Sequence, residues 1–478
     1  MTSLFEPTFA DTNALGMLGS TVHFELQSAP DLELHPKAVD LLDRVIGPWQ
    51  EPEIESKVAV PASGRARRLL GWIYRSCQQS EWPIFQQGAF EPDGTSDLNG
   101  RYTLPTRQAY PSLPYSFFQF LLKHTLVSDV QPSHWVWLEK QMDRFLTPMK
   151  KAGLTGVNQR LVLLELCKRE HALVEVGQNV FQIGTGRSSQ FVRGTFTGGT
   201  SHTLHLIQAN KISTTEVLRL HDIPTVEHKR VYTEKQALAA AEDIGYPVVL
   251  KPFNGTRGFG VICDIKDRTE LRWAIKETEA DIKDCLIEKF YEGDYARVTM
   301  VGDRFIEVRH VEMPRVQGDG RSTLRALIDA YLDNPEKTFL DNKPRTEKLK
   351  VDFDQAVKDA HLLRVIEGQG LHLDQIPTSG ESIRIADRIS SRSCGSRIVW
   401  HRPDEIAPAY QPLFEKIQSV FGHTAIGIDV LCFDPATAEH ARINEVNFGP
   451  MINWYPQLVS SYVDALLDPS FRNGDERL

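Results

Sequence analysis

The feature that most constrains this sequence is an apolar strand followed by a glycine-rich loop and a second strand. The strand at 248–251 directly follows Gly-Tyr-Pro at 245–247, and residues 252–261 read Pro-Phe-Asn-Gly-Thr-Arg-Gly-Phe-Gly-Val. Small residues let a backbone approach phosphate oxygens and point its N–H groups at them, while a neighbouring lysine adds positive charge. The loop is not a P-loop, because no Gly-Lys-Ser/Thr follows, and it does not open a helix as a dinucleotide-binding loop does. It therefore predicts a β-hairpin that covers phosphate.

Helices and strands alternate on both sides of this loop. Thr233 is a helix cap with Gln236 at the capping-box position, which predicts a helix that ends at the Gly-Tyr-Pro stop. Apolar periodicity predicts other helices at 158–169, within 203–221 and at 269–280, and strands within 174–183 and at 260–265, 285–290, 304–311, 382–386, 426–433 and 441–447. This alternation predicts an α/β (α+β) fold.

The length and the texture of the chain predict more than one domain. At 478 residues, the chain is too long for one small core. Residues 1–150 contain five of the eight tryptophans and many short segments broken by proline, so we expect an N-terminal accessory domain there. Its aromatic side chains could fill a core or line an oligomer interface. The core is favoured, because aromatic residues bury large areas wherever they can.

Composition disfavours several classes of protein. The formal charge of −9 provides no global positive field for nucleic acid or an anionic membrane. No apolar run approaches the ~20 residues that span a bilayer, and the first residues do not resemble a secretory signal. The six cysteines contain no Cys-x-x-Cys pair, which disfavours a zinc ribbon or a disulfide framework. We therefore expect a soluble cytoplasmic protein.

Two predicted strands near the end of the sequence carry oxygen ligands. Asp429 lies on the first strand, and Glu445 and Asn447 lie on the second. Residues two apart on a strand face the same side, so Glu445 and Asn447 can project together and Asp429 could join them. Two carboxylates and an amide oxygen suit Mg²⁺ that bridges nucleotide phosphates. Singly, each is typical of an exposed strand face, but with the glycine-rich loop they predict a nucleotide–metal site.

Several motifs occur in a characteristic order. They are Gln-Ile-Gly-Thr-Gly at 182–186, Asn-Lys-Ile-Ser-Thr at 210–214, His-Asp-Ile-Pro-Thr at 221–225, Gly-Tyr-Pro-Val-Val-Leu-Lys-Pro at 245–252, Glu-Lys-Phe-Tyr-Glu-Gly-Asp-Tyr-Ala-Arg-Val at 288–298, Gly-Asp-Gly at 318–320 and Glu-Val-Asn at 445–447. Together they resemble the ATP-grasp superfamily, and within it the ATP-grasp part of cyanophycin synthetases and their amino-acid ligase relatives. The resemblance covers residues 154–456. It implies an ATP-grasp catalytic domain at 211–478, preceded by a segment at 151–210.

The resemblance implies an ATP-dependent carboxylate–amine ligase. In such an enzyme ATP phosphorylates a carboxylate, and an amine displaces the phosphate to give an amide with release of ADP and phosphate. The implied cofactors are ATP and Mg²⁺, with Mn²⁺ as an alternative ion. The implied substrates are small-molecule or peptide carboxylates and amines, without nucleic acid or membrane partners, and relatives of this kind suggest a homo-oligomer.

The resemblance also assigns roles to residues of this sequence. Lys211 and Lys251 would neutralise the α and β phosphates, and Asp294 would accept hydrogen bonds from the ribose hydroxyls. The loop residues that would close over the γ phosphate are Gly255, Thr256, Gly258, Phe259 and Gly260. Backbone at Glu288, Lys289 and Phe290 would meet adenine. Asp429, Glu445 and Asn447 would hold one or two Mg²⁺ ions, which draw charge off the transferred phosphoryl group.

Arginines complete the implied catalytic set. Arg309 would contact the γ phosphate, and Arg384 would stabilise the acyl phosphate and the tetrahedral oxyanion; a surface salt bridge is the alternative for each. Arg257 stands where many cyanophycin synthetases have a loop histidine, so a base role does not carry over, and contact with phosphate or a substrate carboxylate is expected instead.

Two other departures concern the substrates. Residues 388–395 replace an Asn-Leu-Ser-Thr-Gly-Gly segment, and the segment at 445–451 exchanges the Gly and Pro of the usual ending. Arg257 with Arg388, Arg392 and Arg397 suggests an anionic substrate such as aspartate, glutamate or a phosphonate. No Mur-ligase-like domain with its own P-loop follows, so we expect one type of ligation and do not expect cyanophycin as the product.

Alternative functions remain open from the sequence. A glutathione-synthetase-like ligase or a modifier of a ribosomal peptide or protein would use the same chemistry. A non-catalytic nucleotide-binding regulatory protein would use the fold alone, but the residues expected to bind phosphate and metal are all retained. The donor, the acceptor, the number of ligation cycles and the role of residues 1–150 are not specified by the sequence.

Overall fold

The structure of the protein is a computed structural model. The structure describes residues 3–4, 8–11, 20–27, 29, 32–48, 64–85, 88–107, 110, 112–154, 156–177, 179–184, 189–254, 260–277, 284–332, 360–386, 396–422, 425–453 and 456–468. The chain divides into two compact units, of which the first contains Met1–Gly198 and Met451–Asp464 and the second contains Gly199–Pro450 and Ala465–Leu478. The division expected at residues 150 and 210 stays a prediction.

The strands of the described residues are β1 (Ser3–Leu4), β2 (Thr8–Asp11), β3 (Ser20–Gln27), β4 (Ala89–Pro92), β5 (Gly100–Pro105), β6 (Leu173–Gly177), β7 (Val180–Ile183), β8 (Gln190–Arg193), β9 (Phe196–Thr197), β10 (His228–Val231), β11 (Val248–Pro252), β12 (Ile262–Ile265), β13 (Cys285–Lys289), β14 (Tyr295–Val301), β15 (Arg304–Val311), β16 (Arg315–Gln317), β17 (Ser382–Arg384), β18 (Ile398–His401), β19 (Ala425–Leu431) and β20 (Arg442–Phe448).

The helices of the described residues are α1 (Pro36–Val45), α2 (Arg65–Gln79), α3 (Leu113–Thr125), α4 (Pro132–Lys151), α5 (Val157–Lys168), α6 (His202–Gln208), α7 (Lys211–Leu220), α8 (Glu234–Ile244), α9 (Arg268–Glu277), α10 (Leu324–Leu332), α11 (Ala360–Glu367), α12 (Tyr410–Val420) and α13 (Pro456–Leu467). Among the described residues, no helix is both long enough and apolar enough to cross a membrane.

The first unit contains two antiparallel sheets and an aromatic core. One sheet has the order β1-β3-β5-β4 with β2 beside β3, and the other has the order β6-β7-β8-β9. Trp72, Trp82 and Trp135 are buried in the core, whereas Trp137 is 41% exposed. Trp49 lies outside the described residues. The expectation that aromatic side chains of this region fill a core is confirmed for the three buried tryptophans.

A buried ion pair joins two parts of the first unit that are far apart in sequence. The Nε of Arg107 donates to Oε2 of Glu175 at 3.1 Å, and its Nη2 donates to the other carboxylate oxygen and to Oδ1 of Asn179 at 3.0 Å. The side chains of Arg107 and Glu175 are 4% and 2% exposed. The guanidinium lies 6.0 Å from the ring centroid of Trp82. Residues 107 and 175 are therefore tied together inside one core.

The second unit contains two antiparallel sheets and a two-stranded pair. The four-stranded sheet has the order β10-β13-β11-β12, the five-stranded sheet has the order β18-β15-β14-β19-β20, and β16 pairs with β17. The strands β11 and β12 pair antiparallel, with Val248 opposite Ile265 and Leu250 opposite Ile262. The predicted hairpin geometry is confirmed for the strands that flank the glycine-rich loop; residues 255–259 themselves lie outside the described part of the chain.

Local sequence signals account for α7 and α8. The Oγ1 of Thr233 accepts from the backbone N–H of Gln236, as predicted for the cap of α8. The side chain of Gln236 accepts from the N–H of Tyr232, one residue earlier than a capping box requires. The predicted helical region at 203–221 consists of α6 and α7, and the Asn210 side chain between them accepts from the first N–H groups of α7.

The five-stranded sheet has an apolar face and a charged face, because side chains alternate along each strand. Its apolar face and α12 form a core that contains Ala296, Val298, Met300, Val308, Phe414, Ile417, Ile426, Ile428 and Val430. The residues between these positions point to the other face. This alternation positions the charged side chains of the candidate site.

The buried pair of the first unit gives a test of its packing. We expect Arg107→Ala to lower the free energy of unfolding by about 3 kcal/mol or more, because it leaves the Glu175 charge buried without a partner. Urea unfolding followed by tryptophan fluorescence measures the change, since Trp82 lies beside Arg107. Arg44→Ala is the control, because Arg44 forms an exposed pair with Glu139 and such pairs contribute about 0–1 kcal/mol. Equal effects of the two substitutions would contradict the account.

Candidate active site

One row of charged side chains crosses four strands of the five-stranded sheet. The register pairs Arg309 of β15 with Arg297 of β14, Arg297 with Asp429 of β19, and Asp429 with Glu445 of β20. Directly opposite residues of antiparallel strands share a face of the sheet. Two arginines and two carboxylates therefore lie side by side, with the cations on one half of the row and the anions on the other. We call this set the charged row.

Asp429 is the most strongly held member of the charged row. Its Oδ2 accepts from Nη2 of Arg297 at 3.1 Å, and its Oδ1 accepts from the Tyr295 hydroxyl at 2.7 Å and lies against Nε of Arg297. Burial raises the pKa of Asp429 to about 6, with Arg297 opposing the shift and Glu445 adding to it. Burial opposes the charge on Arg297, but the Asp429 carboxylate outweighs it and raises the pKa of the guanidinium.

Asn447 lies one step along β20 from the charged row. It is opposite Gly427 of β19, where an added Cβ would lie 2.7 Å from Nη1 of Arg297. The glycine therefore leaves room for the guanidinium between Asp429 and Asn447. The side-chain nitrogen of Asn447 is buried and has no hydrogen-bond partner among the described residues. Asp429, Glu445 and Asn447, the predicted metal ligands, thus occupy neighbouring positions on one face.

Lys251 reaches the same site from the four-stranded sheet. Its Nζ lies 2.5 Å from Oε2 of Glu288 on β13 and 3.4 Å from Oδ1 of Asn444 on β20. The register shift between Asp429 and Val430 makes Asn444 an extra residue on β20. Burial opposes ionisation of Glu288, but Lys251 and His228 outweigh it and hold the pKa of the carboxyl below its ordinary value.

Lys211 is the second lysine at the site. It is the first residue of α7, and its Nζ donates to the backbone oxygen of Phe253 at 3.3 Å. Burial lowers the pKa of Lys211, and the field of Glu445 opposes that shift, with smaller effects of Lys251, Glu288 and Asp429. Lys211 therefore lies within electrostatic reach of the charged row and of Lys251. The start of α7 thus brings Lys211 into the field of Glu445, and β11 brings Lys251 to Glu288.

The predicted ribose ligand Asp294 is hydrogen-bonded within the protein. Its Oδ2 lies 2.9 Å from Nε2 of His310, and its Oδ1 accepts from the backbone N–H of Met313 at 2.8 Å. The Nδ1 of His310 lies 3.1 Å from Nε2 of His401. Burial lowers the pKa of His401, and the neighbouring His310 adds to the shift. The role of Asp294 in binding ribose stays a prediction.

Residues 288–290 form the end of β13. The backbone N–H of Lys289 donates to the backbone oxygen of Glu227 at 2.8 Å, and that of Phe290 donates to the backbone oxygen of Pro247 at 3.1 Å. The Lys289 ammonium donates to the backbone oxygens of Gly245 at 2.8 Å and Tyr246 at 3.2 Å. These contacts fix the segment, and its expected contact with adenine stays a prediction.

Arg384 is buried and paired with a carboxylate of the protein. One Nη donates to the carboxylate of Asp264, and the guanidinium lies 5.4 Å from the ring centroid of Phe290. Its Nη1 is buried and has no hydrogen-bond partner among the described residues. The expected action of Arg384 on the acyl phosphate stays a prediction.

Of the other residues predicted for the site, Gly260 and Arg397 are described by the structure. Gly260 has a φ of +66° and leads into β12. Arg397 pairs with Glu312 at 3.3 Å and its side chain is 60% exposed. The residues outside the described part of the chain are Gly255, Thr256, Arg257, Gly258, Phe259, Arg388 and Arg392.

Three site residues were not identified from the sequence. Tyr295 and Arg297 hold Asp429, and Asn444 contacts Lys251. Arg297 lies within a quoted motif, but only the pairing of β14 with β19 reveals that it faces Asp429. Asn444 is one residue out of phase with Glu445, so strand alternation alone predicts that it faces away. A β-bulge changes that direction.

Comparison with known proteins identifies an ATP-grasp domain within this chain. Residues 207–294 match the family model of the ATP-grasp domain, and the predicted resemblance and fold class are thereby confirmed. The chain is 26% identical over 319 residues to the cyanophycin synthetase of Crocosphaera subtropica, covering 66% of this chain and 35% of that protein. It is 23% identical over 308 residues to the glutathione biosynthesis bifunctional protein of Clostridium perfringens, covering 62% and 38%.

Similarity to solved structures covers more of the chain at lower identity. A bifunctional glutathione synthetase from Pasteurella multocida aligns with 91% of this chain and 78% of its own, with 14% identity and a TM-score of 0.41. The chain spans about a third of the length of the curated relatives it matches.

The Lys251–Glu288 pair gives a test of the site's electrostatics. We expect Glu288→Gln to lower the free energy of unfolding of the four-stranded sheet by about 3 kcal/mol near neutral pH, because Lys251 loses its buried partner. The pKa of Glu288 is lowered, so the contribution is complete above the ordinary carboxyl pKa and is lost as the pH falls through the lowered one. Urea unfolding with pulsed hydrogen exchange of β11 and β13 measures it.

The control for this test is Glu234→Gln. Glu234 pairs with Arg272 at 3.2 Å, and both side chains are about half exposed, so about 0.5 kcal/mol or less is expected. An effect of Glu288→Gln that is no larger than the control, or that persists unchanged in strong acid, would contradict the assignment.

Proposed function

We propose that the protein is an ATP-dependent carboxylate–amine ligase that forms an amide bond through an acyl phosphate and releases ADP and phosphate. The observation that carries the proposal is the charged row, Arg309–Arg297–Asp429–Glu445, on one sheet face with Lys211 in its field. Cations beside carboxylates suit a reaction in which phosphoryl charge is moved from ATP to a carboxylate. The match to the ATP-grasp domain over residues 207–294 supports the same reading.

The predicted metal ligands fit a divalent cation of the Mg²⁺ type. Asp429, Glu445 and Asn447 offer oxygen donors only, which such ions prefer. The amide of Asn447 has a buried nitrogen without a hydrogen-bond partner among the described residues, and its two orientations exchange nitrogen for oxygen. Among the described residues, no group of three or more histidine, cysteine, aspartate or glutamate side chains forms a metal cluster, so the proposed set depends on the amide. Bound Mg²⁺ would draw charge off the transferred phosphoryl group.

The protein's own residues divide the other tasks. Lys211 and Lys251 would bind the phosphates of ATP, with Glu288 holding Lys251 in place before nucleotide arrives. Arg297 and Arg309 would face the charge that develops on the acyl phosphate, because Arg297 lies next to Asp429 and Arg309 lies next to Arg297. Tyr295 would keep Asp429 oriented through its 2.7 Å hydrogen bond. Preorganised cations of this kind stabilise charge without reorganisation.

Other residues of the site would bind the nucleoside, the γ phosphate and the donor. The segment at 288–290 and Asp294 would bind the nucleoside, the loop at 255–260 would cover the γ phosphate, and Arg257 and Arg384 would contact the phosphorylated donor. We propose an amino acid or short peptide as substrate, with an anionic donor favoured by the arginines of the sequence, and a homo-oligomeric assembly.

The direct test is donor-dependent ADP release with hydroxylamine as a substitute amine. Purified protein is incubated with Mg²⁺-ATP and a panel of free amino acids, di-acids and short peptides, and hydroxamate is measured. We expect at least one donor to give hydroxamate, and we expect Glu445→Ala to reduce its formation by ~100-fold or more, because a ligand of the proposed metal is removed.

The control variant is Glu439→Ala. Glu439 is exposed between β19 and β20, so its replacement should leave hydroxamate formation at the wild-type level. Full activity of Glu445→Ala would contradict the proposed metal site. Hydroxamate from no donor, with ATP still bound, would contradict the small-substrate ligase and favour a protein-sized substrate or a non-catalytic role.

A further inference from the structure

Glu307 is a carboxylate on the charged face that the proposed reaction has not used. It lies on β15 two residues from Arg309, and the register places it opposite Thr299 of β14. Residues two apart on a strand face the same side, so Glu307 is on the face that carries the charged row. Adjacent strands are ~4.8 Å apart. Glu307 therefore lies about two strand spacings, or ~10 Å, from the strand of Asp429. It begins a row next to the charged row, which continues through Thr299 and Gly427.

A β-bulge sets the direction of this side chain. The pairing of β14 with β15 shifts between Thr299 and Met300, because Phe305 is opposite Met300 while Glu307 is opposite Thr299. Phe305 packs against the apolar core of the sheet, and its ring contacts Phe414. The extra residue, Ile306, allows Phe305 to face the core while Glu307 faces the site. Bulges commonly re-aim side chains beside active sites.

Glu307 has no counter-ion among the residues that the structure describes. Its carboxylate makes no hydrogen bond or ion pair with any residue that the structure describes, although it is only partly exposed. Burial alone raises the pKa of Glu307 to about 7, without a compensating cation. By contrast, Asp429 is held by Arg297 and Tyr295, and Glu288 is held by Lys251. A half-buried carboxylate without a partner carries a desolvation cost that a bound cation would relieve.

The order of charges along the face indicates which cation this is. Arg297 has Asp429 directly opposite on β19 and Glu307 diagonally opposite on β15. An acyl phosphate bound at Arg297 would therefore have the metal-ligand candidates on one side and Glu307 on the other. The proposed metal and ATP would lie on the side of Asp429. The side of Glu307 is therefore left for another substrate. The amine that attacks an acyl phosphate arrives as an ammonium ion at neutral pH, and ammonium binds carboxylates through charge-assisted hydrogen bonds.

We propose that Glu307 forms the subsite that binds the protonated amine of the acceptor substrate. The inference rests on the proposed ligase function and extends it by defining the acceptor as a cationic primary amine. Thr299, which is directly opposite Glu307 and buried, lies in the same subsite. The chemical class of acceptor is therefore an amino compound whose ammonium group enters from the β15 side of the sheet.

The test compares a cationic amine with an uncharged one in the same enzyme. With a donor from the hydroxamate screen, hydroxylamine serves as the nucleophile that is uncharged at neutral pH, and glycinamide and the free amino acids serve as cationic nucleophiles. The measured quantity is the ratio of amide to hydroxamate formed, together with KM for the cationic amine. We expect Glu307→Gln to lower this ratio about tenfold or more through a higher KM, because a charge-assisted contact is lost. Glu307→Asp should restore part of it.

The possible outcomes distinguish a failure of the Glu307 subsite from a failure of the proposed ligase activity. Glu439→Gln removes an exposed glutamate from the turn between β19 and β20, and its ratio should stay within about twofold of wild type. If Glu307→Gln keeps the wild-type ratio, or if wild-type protein forms hydroxamate but no amide with any cationic amine, the subsite is overturned while the ligase proposal stands. If wild-type protein forms no hydroxamate with any donor, the proposed small-substrate ligase itself fails, and the subsite fails with it.

Discussion

The ion pair between Arg297 and Asp429 lies at the centre of the five-stranded sheet, and the rest of the candidate site is arranged around it. Arg297 is opposite Asp429 on one side and Arg309 on the other, and Asp429 is opposite Glu445. The apolar residues between them anchor the same strands to the core. Because register fixes these neighbours, one set of strand pairings determines both the stability of the sheet and the order of charges on its charged face.

This pair also explains how two acidic residues can share a buried face. Burial and mutual repulsion raise the pKa of Asp429, and Arg297 opposes that effect. Removing charges from water is costly unless opposite charges and hydrogen bonds replace the solvent. Arg297, Tyr295 and Lys211 supply such partners. The same arrangement stabilises the free protein and would receive the negative charge of a nucleotide and an acyl phosphate.

The sequence predicted those parts that depend on local chemistry. The alternation in residues 304–311 predicted β15, and the cap at Thr233 predicted α8. The metal-ligand candidates were found because Glu445 and Asn447 are two residues apart on a strand. What depends on pairing between distant segments was missed. The contact of Arg297 with Asp429 requires the register of β14 and β19, and the directions of Asn444 and Glu307 require bulges that no local signal indicates.

The measurement that tests the central claim most directly is oxygen transfer from the donor to phosphate. A donor carboxylate labelled with ¹⁸O is supplied with Mg²⁺-ATP and an amine, and the released phosphate is analysed by ³¹P NMR. The account predicts a labelled oxygen in the phosphate, because the carboxylate oxygen becomes the bridging atom of the acyl phosphate and leaves with phosphorus. Released phosphate that carries no ¹⁸O although the amide forms would contradict the acyl-phosphate ligase.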